Sequence, residues 1–195
     1  MREPVSALPG ARYSGIVTVA EGGLRGMIVL RGDLASKPLA KAVKEATGQA
    51  LPGTRQIALG KKGAVAWMAP DELLILTDHA TVGTTLSKME AALAGEFVTL
   101  ADVSDARAVF TLSGAAARDV LAKACPVDFA DFPVGSLRRT RAAQVAAAIW
   151  RSAAEEFTLV CFRSVAPYMW DLLTTLARPG GEVGLYPAEG AGTPR

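Results

Sequence analysis

The sequence holds one histidine and two cysteines in 195 residues. Any His-based triad, His-rich zinc site or HExxH metalloprotease motif would have to rest on His79 alone, which follows Thr77-Asp78 at the end of a strand-like run and reads as a solvated turn residue. Cys125 and Cys161 are far apart and lie in or beside apolar segments, so they read as buried reduced thiols rather than a metal or redox pair. GxGxxG, GxxxxGK[ST] and GxSxG, which cradle phosphates or expose a nucleophilic serine, are all missing. No apolar run approaches the roughly 18 residues of a spanning helix, and Arg2, Glu3 and Pro4 at the start leave no apolar core for a signal peptide. A cytoplasmic chain without membrane attachment is expected. The formal net charge is only +2, which gives no electrostatic case for binding nucleic acid. Nothing here composes a self-sufficient active site.

What is present is an internal echo. Asp102 to Gly114 reads as two short strands joined by the polar corner Ser104-Asp105, with a helical pattern directly behind. A shift of 82 positions lays Arg25, Leu30 and Gly32 on Arg107, Leu112 and Gly114, and superposes the identical tetrapeptides Leu39-Ala40-Lys41-Ala42 and Leu121-Ala122-Lys123-Ala124. Further on, a shift of 83 pairs Trp67 with Trp150, Glu72 with Glu155, Leu76 with Leu159 and Leu93 with Leu176. Two copies are too few for a solenoid, so one pseudo-duplicated domain is expected.

Hydrophobic periodicity then divides the chain. Residues 1–15, with Pro4, Pro9 and Gly10, read as an extended arm. Residues 16–178 form a single domain of two halves, 16–94 and 97–177. Ile16 to Ala20 and Leu24 to Arg31 flank Glu21-Gly22-Gly23 as a hairpin would. Asp33 or Ser36 caps a helix over 34–47, tolerating Pro38 in its first turn and ending at Gly48. Three short strands follow (56–59, 64–68, 73–77), then an amphipathic helix over 81–93 with Val82, Leu86, Met89 and Leu93 as its stripe. The second half repeats this order: strands over 97–103 and 108–112, a helix over 115–124, strands over 136–141, 143–150 and 156–162, and a helix over 167–177 with Tyr168, Leu172 and Leu176 on one side. Residues 179–195, rich in Gly and Pro, read as a flexible tail. The fold class is α+β: a pseudo-duplicated, mixed-sheet domain with helices packed on sheet.

Three features could carry function. Arg138-Arg139-Thr140-Arg141, with Arg151 and Arg163, forms a basic run in which strand alternation puts Arg139 and Arg141 on the face opposite Arg138; guanidiniums there could hold carboxylates or phosphates. Asp102 and Asp105 beside Arg107 could anchor a polar group or form a local turn and ion pair. Trp67 and Trp150 could stack on a flat heterocycle or share the core. Phe129 and Phe132 in the loop before Gly135 either pack down as a lid or, with Tyr13 and Tyr186, serve as aromatic anchors at an interface.

The order and spacing of several segments also resemble known proteins. Asp102-Val103-Ser104, Leu112-Ser113-Gly114 and Glu155-Glu156-Phe157-Thr158-Leu159 resemble the folate-binding domain of the glycine-cleavage T-protein and its relatives. Leu30-Arg31-Gly32-Asp33, Thr47-Gly48 with Leu51-Pro52, Trp67 to Glu72, Asp102 to Arg107 and Arg163-Ser164-Val165-Ala166 with Tyr168 are similar to the gamma-subunit family of heterotetrameric sarcosine oxidase. That resemblance implies a non-catalytic small subunit that supports assembly with alpha, beta and delta subunits. The complex would oxidise sarcosine to glycine, hydrogen peroxide and formaldehyde or methylenetetrahydrofolate. It also implies that flavins, nicotinamide dinucleotide, zinc and tetrahydrofolate sit on the partner subunits and none on this chain. The alternative is a free-standing folate-binding protein of the same superfamily. Arg139, Arg141, Phe129, Phe132 and Tyr186 are the candidate partner or anion contacts, and no residue is assigned to catalysis, cofactor or metal.

Overall fold

The computed structural model describes residues 3–186. Eleven strands and four helices build an α/β/β/α sandwich. The first sheet has the order β1-β2-β8-β11-β10-β9 and the second β4-β5-β6-β3-β7, and every strand pair among the described residues is antiparallel.

The chain enters with β1 (Arg12–Ser14), β2 (Thr18–Glu21) and β3 (Gly26–Arg31), followed by helix α1 (Lys37–Thr47). β4 (Ile57–Leu59), β5 (Ala64–Ala69) and β6 (Glu72–Thr77) lead through a 3-10 turn to helix α2 (Val82–Ala92). The sequence of elements then recurs as β7 (Thr99–Asp102), a 3-10 turn (Ser104–Ala106), β8 (Arg107–Ser113), α3 (Ala117–Ala122), β9 (Leu137–Ala142), β10 (Val145–Ala153), β11 (Glu156–Phe162), a third 3-10 turn and α4 (Ala166–Leu176). Read from one end, β2-β8-β11-β10-β9 repeats β7-β3-β6-β5-β4.

The expected hairpin of β2 and β3 does not form. β2 pairs with β8 and β3 pairs with β6 and β7, so the two strands belong to different sheets. The glycine pair marks a crossing instead of a turn. Gly22 donates its N–H to the Val109 carbonyl at 2.8 Å, and a Cβ at Gly22 would lie 2.9 Å from the Val109 side chain, so only glycine permits that approach. The pivot does the same in reverse: Val103 donates to the Met27 carbonyl at 2.8 Å, and the Met27 amide donates to Ser104 Oγ at 2.9 Å. Each half thus gives its first strand to the other half's sheet.

The registers also correct the pairing of the two halves. Leu30 faces Leu73 as Leu112 faces Phe157, and bulges follow Trp67 and Arg151. Trp67 therefore corresponds to Arg151 and Ala66 to Trp150; the two tryptophans share equivalent strands but not equivalent positions. A one-residue slip reverses the face. Trp150 is buried between the sheets among Met27, Ile57, Ala66 and Leu74, whereas Trp67 is half-buried on the other face.

Three apolar clusters hold the layers together. α1 and α2 cover one sheet through Leu39, Val43, Met89 and Leu93 against Ile28, Leu30, Leu73 and Ile75. Ser36 is the cap of α1, Pro38 lies in its first turn and Gly48 closes it at φ 76°. α3 and α4 cover the other sheet, where the buried stripe of α4 is Ala166, Met169 and Leu173 rather than the expected line through Tyr168, which is exposed. The inter-sheet cluster is smaller and opens toward both ends.

The N-terminal arm is not free. Arg12–Ser14 adds to β2 as an edge strand, Tyr13 packs on the core, and Arg163 donates to the carbonyls of Val5 and Ser6 at 2.8 and 3.0 Å. The tail is docked as far as Tyr186, whose ring packs edge-on against Phe129; the remainder of the expected flexible tail lies outside the described residues.

Candidate functional site

Facing residues of the two sheets follow strand parity. Val29, Arg31, Glu72, Leu74, Arg107, Val109, Arg139 and Val160 all project between the layers at one end of the sandwich. The buried Glu72 carboxylate lies at the centre of this group. It is bonded by Arg31, its neighbour across the β3–β6 pair, and Arg139 lies 3.6 Å away on β9 of the opposite sheet. Arg107 lies over the Phe162 ring, 4.2 Å from its centroid. Burial lowers its pKa from the usual arginine value, Glu72 acts to raise it and Arg139 lowers it further. Three guanidiniums thus gather around one carboxylate. Arg107, Arg139 and Glu72 border a cleft of about 270 Å³ whose apolar walls include Val29, Met68, Leu74 and Val160.

A second cleft, about 440 Å³, opens at the other end between the same sheets and is lined by Arg25, Leu59, Lys61, Asp78, His79 and Glu156 among others. The strand registers make it the counterpart of the first. Arg25 occupies the place of Arg107, Glu156 that of Glu72, Leu59 that of Arg139 and Asp78 that of Phe162. One backbone frame therefore carries two different chemistries. His79 sits in the 3-10 turn after β6, where the Asp78 side chain caps the Ala80 amide.

The basic run is divided among separate duties. Arg138 lies over the Phe132 ring, and buried Arg151 donates to the carbonyls of Phe132 and Ala154 at 3.1 Å. Arg163 ties down the N-terminal arm. Arg139 turns toward Glu72, and Arg141 is exposed on the edge strand. Phe129 and Phe132 are fully enclosed, packed against each other and against Phe157, which Phe129 meets edge-on, so this chain's own core has taken the two rings expected at an interface. A lid does form, but it faces inward. Tyr186 is half-buried against Phe129 and is likewise part of the core's cover.

Asp102 makes the anticipated local turn, accepting the Ser104 amide at 2.9 Å, but Arg107 leaves that turn for Phe162. Trp67 borders a surface hollow with Arg55, Arg138 and Arg139. Cys125 and Cys161 are free and buried; burial pushes their pKa values up to about 12 and about 11, the second tempered by Arg107. Thiols held protonated in this way are poor nucleophiles. The Glu72 cluster itself escaped sequence reasoning. Its parity signal was present in each strand, but which strands face each other across the layers is set by topology.

Comparison with known proteins places this framework. The Sarcosine oxidase, gamma subunit family matches residues 31–178. The sarcosine oxidase subunit gamma of Corynebacterium sp. (strain U-96) is 32% identical over 123 residues, covering 61% of this chain and 59% of the relative. The subunit gamma of an Arthrobacter species is 33% identical over 147 residues, covering 71% of each. The chain thus spans about three fifths of the Corynebacterium relative and somewhat more of the other. Among solved structures, a chain of the heterotetrameric sarcosine oxidase from Corynebacterium sp. U-96 matches with a TM-score of 0.77 at 27% identity, over 85% of this chain and 87% of that one. The glycine cleavage system aminomethyltransferase T of Bartonella henselae matches with a TM-score of 0.63 at 16% identity, over 82% of this chain and 45% of the other, which is a likeness of fold.

Proposed function

Because the chain belongs to the sarcosine oxidase gamma subunit family, we propose that it is the small, non-catalytic subunit of a heterotetrameric sarcosine oxidase. Its partners are the alpha, beta and delta subunits, which carry the flavins, nicotinamide dinucleotide, zinc and tetrahydrofolate. The complex converts sarcosine and oxygen to glycine, hydrogen peroxide and formaldehyde or methylenetetrahydrofolate, and this chain contributes assembly and support. The observation that carries this reading is the match to a chain of such a heterotetramer across most of both lengths. It accords with how the reactive side chains are used here: both thiols are held protonated in the cores, and the buried Arg151 closes a loop.

The likeness to the aminomethyltransferase brings the fold and no folate site, so a free-standing folate binder gains nothing from the geometry. The test is co-expression of the presumed partner subunits with and without this chain. Omitting it lowers the yield of assembled complex and the sarcosine-dependent peroxide recovered. A fully assembled, fully active complex without it overturns the proposal.

A further inference from the structure

The cleft between the sheets at Glu72 holds more positive charge than the chain itself satisfies. The one buried carboxylate is taken by Arg31. Arg139 stands 3.6 Å from it, which is an ion pair but longer than a hydrogen bond. The Arg107 guanidinium makes no hydrogen bond to any described residue. Its carbon stands 4.2 Å from the centroid of the Phe162 ring, and the side chain lines the cleft. A planar guanidinium with free donors is the group best suited to a carboxylate. Apart from Thr140 and the Phe162 ring, the remaining walls are aliphatic, contributed by Val29, Met68, Leu74, Val160 and the alanines 146–148. They offer nothing to a bare inorganic anion and a contact surface to a short hydrocarbon body. The volume, about 270 Å³, lies just under the range of drug-sized pockets.

We propose that this cleft binds a small organic acid of a few carbons, its carboxylate on Arg107 and Arg139 and its apolar body against Val29, Met68 and Leu74. The sister cleft argues for a specialised end. In the same frame it has Leu59 in place of the second arginine and Asp78 in place of the stacking ring. The site is independent of the assembly role proposed above.

Calorimetric titration of the purified full chain at low salt with acetate, butyrate, benzoate and inorganic phosphate tests this. Butyrate or benzoate binds saturably and more tightly than acetate or phosphate. Arg107→Gln weakens that binding by about tenfold or more, Arg139→Gln weakens it too, and Arg25→Gln in the sister cleft leaves it unchanged. Arg139 is half-exposed, so its variant answers the question even if the Arg107 variant fails to fold. Phosphate binding as well as butyrate, or butyrate binding indifferent to both arginines, overturns the proposal. The same titration on the assembled complex retains the butyrate response; its loss there means that a partner's acidic side chain fills the cleft, and overturns the free-acid reading.

Discussion

Trp67 and Arg151 hold the same place in the two sheets. Each precedes the bulge of its strand, and each donates its amide to the segment beside it, Trp67 to the Gln56 carbonyl at 3.0 Å and Arg151 to that of Ser136 at 3.1 Å. Gln56 and Ser136 bridge to one another, so the two sheets join at this point. The twins have diverged in their side chains. Trp67 faces a surface hollow, whereas the Arg151 guanidinium is buried under the loop that carries Phe132.

Arg151→Met should therefore cost roughly 2–4 kcal/mol, because the buried Phe132 carbonyl and the part-buried Ala154 carbonyl lose their donor. Trp67→Ala removes only half-buried surface and should cost clearly less. Chemical denaturation of both variants checks the ranking; equal losses would contradict it.

Much of this arrangement is visible in the amino-acid pattern because it is local. Ser36, Pro38 and Gly48 mark α1 almost to the residue, and the repeated order of elements follows from Leu30-Arg31-Gly32 and Leu112-Ser113-Gly114. What is not visible depends on long-range pairing. Glu21-Gly22-Gly23 has hairpin chemistry, yet β2 and β3 separate because β2 pairs with the longer β8 of the other half while β3 sits between β6 of its own half and β7. The tryptophan pairing drifted by one residue because a loop of different length precedes each β5-type strand, and identical side chains drew the alignment to the wrong register. Strand alternation puts Arg139 on the face opposite Arg138, but its neighbour Glu72 comes from the opposite sheet and no spacing connects them.

The two thiols impose a pH dependence on stability. In the unfolded chain a cysteine ionises near pH 8.5, while in the fold Cys125 and Cys161 stay protonated up to about 12 and about 11. The raised folded values favour the folded state below the unfolded pKa, and this advantage is lost as pH climbs above about 8.5. Between pH 9 and 10.5 the unfolding free energy should fall by up to about 1.4 kcal/mol per pH unit for each thiol. Cys125→Ala should flatten that slope although it lowers stability at neutral pH by opening a small cavity. Urea titrations across the range decide it, and parallel slopes for the variant and the parent would refute the assignment.

Arg141 is the candidate partner contact that the structure leaves exposed on an edge strand, β9. If an acidic partner surface covers it, Arg141→Ala should slow association with the partner subunits and make it less sensitive to salt, with little change in the dissociation rate. Surface plasmon resonance at two ionic strengths measures both. An unchanged on-rate and salt slope would mean that the side chain is simply solvated.

A flexible tail over residues 179–195 would add little to the stability of the fold. The contacts of Asp119 predict otherwise. This carboxylate, 5% exposed, is on α3 and accepts the amides of Gly184 and Tyr186 at 2.9 and 3.0 Å. Tyr186 closes over Phe129, and the Lys123 ammonium donates to the carbonyls of Leu176 and Gly181. Removing the segment strips a buried carboxylate of both amide donors, at a cost of roughly 2–4 kcal/mol, and uncovers an aromatic edge. For a domain of this size that corresponds to a fall of the melting temperature on the order of 5–10 °C. Ending the chain at Tyr186 instead keeps these contacts and should melt higher than the chain cut at residue 178 by a similar margin. Asp119→Asn should reproduce part of the larger loss, since an amide oxygen accepts the same two N–H groups more weakly. Calorimetric scans of the three proteins separate the effects, and a chain cut at residue 178 that melts with the parent would show that the docked segment adds nothing to the fold.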